Sequence, residues 1–63
     1  MKTYQELTTA RFDAEPGDEI WACDSRRHPD RHGWAVMTKQ EADEYIRTTP
    51  YWLRVWSHWE TIH

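Results

Sequence analysis

"EIWACDSRRHPDRHGWAVMT", residues 19–38, decides the fold, because two short segments of alternating character flank a polar connection. In the first segment Ile20 and Ala22 alternate with Trp21 and Cys23, and a period of two is typical of a β-strand. "GWAVMT" shows the same alternation after a glycine. We therefore predict a β-hairpin whose connection, within Cys23–Trp34, is longer than the usual two to five residues.

An α-helix is predicted directly after the hairpin, in "TKQEADEYIRTTP", residues 38–50. Thr38 at the N-cap and Glu41 three positions later match a capping box. Arg47 falls in the last turn, where a cation suits the helix dipole, and Pro50 ends the pattern. The apolar stripe is short, so we expect the helix to pack on a sheet. Its members are Ala42, Tyr45, Ile46 and Thr49.

The longest strand pattern is "YWLRVWSHWETI", residues 51–62. Alternation predicts two faces, of which only one has the composition of a core face. The predicted core face consists of Leu53, Val55, Ser57 and Trp59. The opposite face, which we expect to be exposed, consists of Trp52, Arg54, Trp56, His58 and Glu60.

The N-terminal part carries weaker signals. "TYQE" at residues 3–6 fits a capping box and predicts a helical turn. "TTARFDA" at residues 8–14 alternates and predicts a strand, with Ala10 and Phe12 on one side. The chain is therefore predicted to be one domain, residues 1–63, of the α+β class. We expect a small antiparallel sheet of three to four strands with one main α-helix packed on one face.

Aromatic residues dominate the composition, with five Trp, three Tyr and one Phe in 63 residues. A domain of this size has a thin core, so some rings should lie at the surface, where apolar patches mark interaction sites. Cys23 is the single cysteine, which excludes an internal disulfide and fits a reducing, cytoplasmic compartment. The sequence shows neither a signal peptide nor an apolar run that could span a membrane.

Charge is distributed unevenly along the chain. The net charge is −3, yet Arg26, Arg27 and Arg31 cluster in the hairpin connection. Overall acidity disfavours general duplex binding, which depends on phosphate neutralisation. It suits steering toward a basic protein surface.

A zinc site in the hairpin connection is one alternative. Cys23, His28 and His32 are possible ligands, and His-x3-His matches zinc spacing. No second cysteine completes the set, so we predict neither a metal nor another cofactor. Cys23 with His28 as a base would be needed for nucleophilic catalysis. A lone strand cysteine is more often a small buried side chain, so we predict no catalytic residues and no enzymatic activity.

Two binding functions remain. A single-stranded nucleic acid could stack on a Trp-lined sheet face, and this is the alternative. We favour binding to a larger host protein or protein complex, because Trp, Tyr and Arg are enriched at interface hot spots. A homodimer through the same surface is a related possibility. The predicted partner-binding residues are Trp52, Arg54, Trp56, His58, Arg26, Arg27 and Arg31.

The chain shows three resemblances. "PGDEIWACD", residues 16–24, resembles the start of a strand in PemK-type endoribonuclease toxins, over nine residues and with no site residue carried over. The predicted order of elements resembles that of the small phage protein that inhibits bacterial RNA polymerase, and the acidic, ring-rich composition is similar to that of anti-CRISPR proteins. The last two resemblances imply an inhibitor of a host macromolecular machine that acts in the host cytoplasm if the chain is phage-encoded.

Overall fold

A computed structural model describes residues 1–24, 26, 28 and 32–63. It confirms the predicted α+β class, with a small antiparallel sheet and one main helix. The strands are β1 (Lys2–Tyr4), β2 (Glu19–Cys23), β3 (Trp34–Met37) and β4 (Trp56–Thr61). The helices are α1 (Leu7–Asp13), α2 (Lys39–Thr48) and a 3₁₀ helix (Tyr51–Leu53).

The predicted hairpin forms the centre of the sheet. The strand order is β1-β3-β2-β4, and all neighbours are antiparallel. Trp21 on β2 lies opposite Ala35 on β3 and His58 on β4. Three backbone hydrogen bonds of 2.8 Å extend the pairing of β2 with the last strand: the N–H of Gly17 donates to Ile62, that of Ile62 to Asp18, and that of Asp24 to Val55.

The two helical connections lie on opposite faces of this sheet. The α1 connection crosses from β1 to β2 over β3, and the α2 connection crosses from β3 to β4 over β2. Both connections cross the sheet in the direction of β4. Because β1 and β3 run in opposite directions, two crossovers of the same handedness lie on opposite faces of the sheet. We call these the α1 face, which includes Ile20, and the α2 face, which includes Trp21.

Contacts support this assignment of faces. Arg11 of α1 bonds to Glu60 at 2.6 Å, and Glu60 lies opposite Ile20. Residues directly opposite each other on paired strands share a face, so α1 lies over Ile20. Ala42 of α2 packs in one cluster with Trp21, so α2 lies over the other side.

The core is thin on both faces. On the α2 face, Trp21, Ala35, Met37 and Ala42 are buried together, with Tyr45 and Trp56 packed against them as partly buried rings. On the α1 face, Ala10 and Ile20 are fully buried. Of the described residues, Ile20 and Met37 are the largest side chains with essentially no exposed surface. The one buried indole, Trp21, therefore supplies much of the apolar burial.

Helix α2 begins as predicted. The Thr38 hydroxyl accepts the N–H of Glu41 at 3.1 Å, and the Glu41 carboxylate accepts the N–H of Thr38 at 2.9 Å. Two of the unpaired N–H groups at the helix start are thereby satisfied. The helix ends at Thr48, ahead of Pro50. In the described residues, neither α-helix has the length and apolar character needed to cross a bilayer.

The predictions for the N-terminal part are wrong. Residues 3–6 do not form a helical turn, since Lys2–Tyr4 is a strand, and residues 8–14 are largely helical. Leu7, Ala10 and Ala14 recur at helical spacing and turn toward the sheet. Phe12, which the strand prediction placed beside Ala10, sits about 200° away around the helix axis and is 89% exposed.

Substitution of Gly33 tests the close approach of the chain before β3 to strand β1. Its φ is +149°, and a Cβ there would lie 3.0 Å from the carbonyl oxygen of Tyr4 on β1. Gly17 has a φ of +93° but nothing within 4 Å of a Cβ. Each alanine substitution introduces backbone strain of about 1–3 kcal/mol. We expect Gly33→Ala to lower the free energy of unfolding by more than Gly17→Ala, measured by urea unfolding. Equal losses would contradict the proposed clash with β1.

Glu41 makes stability depend on pH. Hydrogen bonds from the α-amino group of Met1 and the backbone of Thr38 hold the pKa of Glu41 below its usual value of 4.5. Its contribution to stability is therefore complete above about pH 4.5 and is lost as the pH falls through the lower, folded-state pKa. Glu41→Gln can keep the capping box without the charge. We expect the thermal unfolding midpoint of the variant to fall less than that of the native chain as the pH is lowered. Equal pH dependence of the two midpoints would contradict the role assigned to the Glu41 carboxylate.

Candidate protein-binding surface

The chain turns sharply between α2 and β4, where the sequence pattern predicted a continuous strand. Thr49 after the helix is extended, as expected for a residue that precedes proline. Pro50 then starts the 3₁₀ helix, which is closed by hydrogen bonds from Leu53 to Pro50 (2.9 Å) and from Arg54 to Tyr51 (3.2 Å). Strand β4 begins only at Trp56.

This turn carries the largest group of exposed apolar side chains that are close in the chain. Trp52 is 74% exposed, and Tyr51 and Leu53 are 66% and 63% exposed. Ile46, in the last turns of α2, is 45% exposed. We call these four residues the aromatic corner. Its two rings alone leave on the order of 300 Å² uncovered, which is large for one patch on so small a protein.

Arg54 fastens the corner to the helix. Its guanidinium donates through Nε to the carbonyl of Thr49 at 2.9 Å and through Nη2 to that of Ile46 at 3.1 Å. These carbonyls lie at the C-terminal end of α2, where acceptors lack helical partners and a cation is favoured. Arg54 was predicted to contact a partner; in the structure it is half-buried and holds the turn in place.

Tyr45 fastens the other end of the turn to the core. Its hydroxyl accepts the backbone N–H groups of Val55 at 2.8 Å and Trp56 at 3.0 Å. The same ring stands edge-on to Trp21, with centroids 5.8 Å apart. The aromatic corner is therefore held between two anchors, Arg54 and Tyr45, so its rings are exposed on a fixed turn.

The predicted row of Trp52, Arg54, Trp56 and His58 along one strand face does not form. Trp52 lies in the 3₁₀ helix, while Trp56 is half-buried against the core cluster on the α2 face. The predicted core face is wrong too, since Leu53 and Trp59 are more than half exposed. A period of two applies only within a strand, and β4 covers just the second half of the predicted segment.

His58 lies on the α2 face beside the buried indole. Its ring stands edge-on to Trp21 with centroids 5.5 Å apart. Nε2 is 3.2 Å from the Thr61 hydroxyl and 3.8 Å from a carboxylate oxygen of Glu19. The same Glu19 oxygen accepts the indole N–H of Trp21 at 3.1 Å. His58 thus covers the core edge and keeps about half of its side chain exposed.

An open groove of about 260 Å³ adjoins the corner. It lies where the 3₁₀ helix meets β2 and β4, and three aromatic rings contribute to its walls. Because Tyr51 belongs to both features, the groove and the corner form one continuous surface. The residues that line the groove are Trp21, Asp24, Tyr51, Arg54, Trp56, Ser57 and His58.

The arginines of the hairpin connection are only partly placed. The Arg26 side chain is 95% exposed, its backbone N–H donates to an Asp24 carboxylate oxygen at 3.1 Å, and its Nε is 3.9 Å from the same oxygen. Arg27 and Arg31 lie outside the described residues. Arg26 therefore extends into solvent from a strand end that also lines the groove.

The zinc alternative rests on Cys23, His28 and His32. Cys23 is half-buried and lies opposite Trp56, the backbone N–H of His28 donates to Asp24 at 2.9 Å, and His32 is exposed. In residues 1–24, 26, 28 and 32–63, no three His, Cys, Asp or Glu side chains are grouped so that they could hold a metal ion.

The sequence pattern missed three members of the corner. Leu53 and Ile46 were assigned to apolar faces, and Tyr51 was given no role. The signal that identifies them is Thr49–Pro50, because proline and the residue before it disfavour continuation of either a helix or a strand. A turn predicted at this point places the next three residues at the surface.

In comparisons with known proteins, no family model, no curated protein and no solved structure matches this chain, so the surface is interpreted from its own geometry.

Tyr45→Phe tests the anchor of the turn. The change keeps the ring against Trp21 but leaves two partly buried backbone N–H groups without their acceptor. We expect the free energy of unfolding to fall by about 1–3 kcal/mol, measured by urea unfolding. Trp52→Ala is the control and should change it by less than about 0.5 kcal/mol, because that side chain is exposed. A neutral Tyr45→Phe would show that water replaces the hydroxyl.

Proposed function

We propose that this chain is a non-catalytic module that binds a larger protein through the aromatic corner and the adjoining groove. The observation that carries the proposal is the 74% exposure of Trp52 on a turn that two side chains hold in place. An exposed indole on a mobile terminus is common and does not by itself indicate a binding site. An exposed indole on a turn whose two ends are hydrogen-bonded to helix α2 is better explained by a binding role.

Energetics support this role. Trp and Tyr are among the residues that contribute most at protein interfaces. A preorganised turn also avoids part of the ordering cost that association incurs. The groove beside Tyr51 offers a place for one anchoring side chain of the partner, and hot spots typically combine such a pocket with a ring on the opposing surface.

Charge supports a partner with a basic surface. The net charge of −3 steers the chain toward positive potential. On the exposed side of α2, Glu44 and Arg47 are paired with each other, so the helix next to the corner contributes little net charge. We therefore assign affinity to the rings and the rate of encounter to the overall acidity.

The finer proposal is inhibition of a host macromolecular machine. A chain of 7.7 kDa can act simply by covering a working surface of a larger assembly. The acidic, ring-rich composition, similar to that of anti-CRISPR proteins, motivates this proposal. Single-stranded nucleic acid is the less favoured ligand, because within the described residues helix α2 covers the sheet face on which the rings were expected to form a row.

The test is a pull-down from a host lysate, followed by titration of the identified partner with purified variants. We expect Trp52→Ala to weaken binding by at least about 30-fold, the effect of a hot-spot residue, while circular dichroism and the unfolding midpoint stay unchanged. Phe12→Ser is the matched control: its ring is even more exposed but lies on the α1 face, so binding should persist.

Two results would contradict the proposal. One is binding that survives Trp52→Ala and is lost in Phe12→Ser, which would move the interface to the α1 face. The other is tight binding of a single-stranded oligonucleotide that fades with salt and disappears in Trp52→Ala, which would establish the nucleic-acid alternative.

A further inference from the structure

The α1 face carries a second aromatic surface, separate from the corner. Trp34 and Trp59 stand edge-to-face with ring centroids 5.1 Å apart. Trp34 lies opposite Ala22 and Tyr4 in the sheet, which places both indoles on the α1 side. Trp59 is 53% exposed. We call this pair the indole shelf.

A β-bulge turns Trp59 to that side. Ile20 and Trp21 are neighbours in β2, but their partners in β4, Glu60 and His58, are two positions apart. Trp59 is the extra residue, and an extra residue redirects its side chain. Without the bulge, strict alternation would give His58 and Glu60 the same face.

Phe12 projects from the helix on the same face. It is the most exposed large apolar side chain among the described residues, at 89%, because Ala10 occupies the side of α1 that faces the sheet. Arg11, the preceding residue, bonds to Glu60 at 2.6 Å and so ties the last turn of α1 to β4. Phe12 and Trp59 are therefore attached to two elements joined by an ion pair.

We propose that this face is the interface of a symmetric homodimer, in which Phe12 of each copy packs on the indole shelf of the other. A two-fold interface requires that one surface carry both halves of each contact. The α1 face meets that condition, since it combines a projecting ring with a partly exposed aromatic shelf. The aromatic corner lies on the other face.

This face carries a partly exposed ion pair between Arg11 and Glu60. Arg11 and Glu60 keep 49% and 31% of their side chains exposed. In a two-fold arrangement the Arg11 of one copy can approach the Glu60 of the second, and the reverse contact follows from symmetry. Opposite charges across an interface fix its register and suppress other partners.

The dimensions permit a face-to-face dimer. The fold measures 29 × 25 × 15 Å, so the outline of its broad side is on the order of 700 Å², large enough for an interface in which each partner buries roughly 800 Å² of accessible surface. Pairing through the edge strand β4 is disfavoured, because bulges and charged residues block strand addition. Association through the broad side would also bury Phe12 and Trp59 and so extend a thin core.

This inference is independent of the proposed function, since it concerns the opposite face. A dimer would present two aromatic corners pointing away from its interface.

Analytical ultracentrifugation of the full chain tests the dimer between about 1 µM and 1 mM. We expect the mass to rise with concentration from 7.7 kDa toward twice that value. Phe12→Ser should raise the dissociation constant at least about 10-fold without loss of helix or sheet signal. Trp52→Ala should leave it unchanged. A native chain that stays monomeric at the highest concentration would overturn the proposal.

The indole N–H signals of the five tryptophans give a second readout by NMR. On dilution, the signals of Trp34 and Trp59 should shift, while that of Trp52 should not. A shift of Trp52 with Trp59 unchanged would mean that the chain self-associates through the aromatic corner, and the α1-face dimer would be wrong. Loss of partner binding in Trp52→Ala, with dimerisation intact, separates the two surfaces.

Discussion

The edge-on contact between Trp21 and Tyr45 is the constraint on which the rest of the structure depends. Trp21 is the buried indole at the middle of β2, between β3 and β4. Tyr45 brings helix α2 onto that ring, and its hydroxyl then receives the backbone of Val55 and Trp56. One aromatic pair thus sets the position of the helix, the start of β4 and the direction of the turn between them. The exposure of Trp52 follows from this packing.

A thin core explains why rings lie outside. Small buried residues such as Ala10, Ala35 and Ala42 bring the helices close to the sheet and leave little room for further indoles. Among the described residues, the four exposed aromatic side chains lie on two faces: Tyr51 and Trp52 beside α2, and Phe12 and Trp59 on the α1 side. Because α1 and α2 lie on opposite faces, these two sets are separated by the sheet. The proposed dimer and the proposed partner interface therefore use different surfaces.

The sequence predicted the hairpin and the start of helix α2, which depend on residues that are close in the chain. Alternation in residues 19–38 and the capping box at Thr38 are confirmed, because both depend on residues close in sequence. The strand predicted at residues 8–14 failed because two periodicities competed there, and burial of Ala10 decided between them. Trp59 could not be placed from its own segment, since its direction depends on the register between β4 and β2. The exposure of Trp52 on the aromatic corner matches the prediction, although Trp52 lies in the 3₁₀ helix and not in the strand from which the exposure was derived.

Arg54 has a structural role that its neighbours in the sequence do not predict. Between two tryptophans, an arginine has the composition of an interface hot spot. Its guanidinium instead donates to the carbonyls of Thr49 and Ile46, and binding a partner carboxylate through the same N–H groups would release the end of α2. A guanidinium has five N–H donors, and these two hydrogen bonds occupy only part of them, so Arg54 can still border the proposed binding groove. In the proposal the rings supply most of the recognition, and Arg54 determines where those rings point.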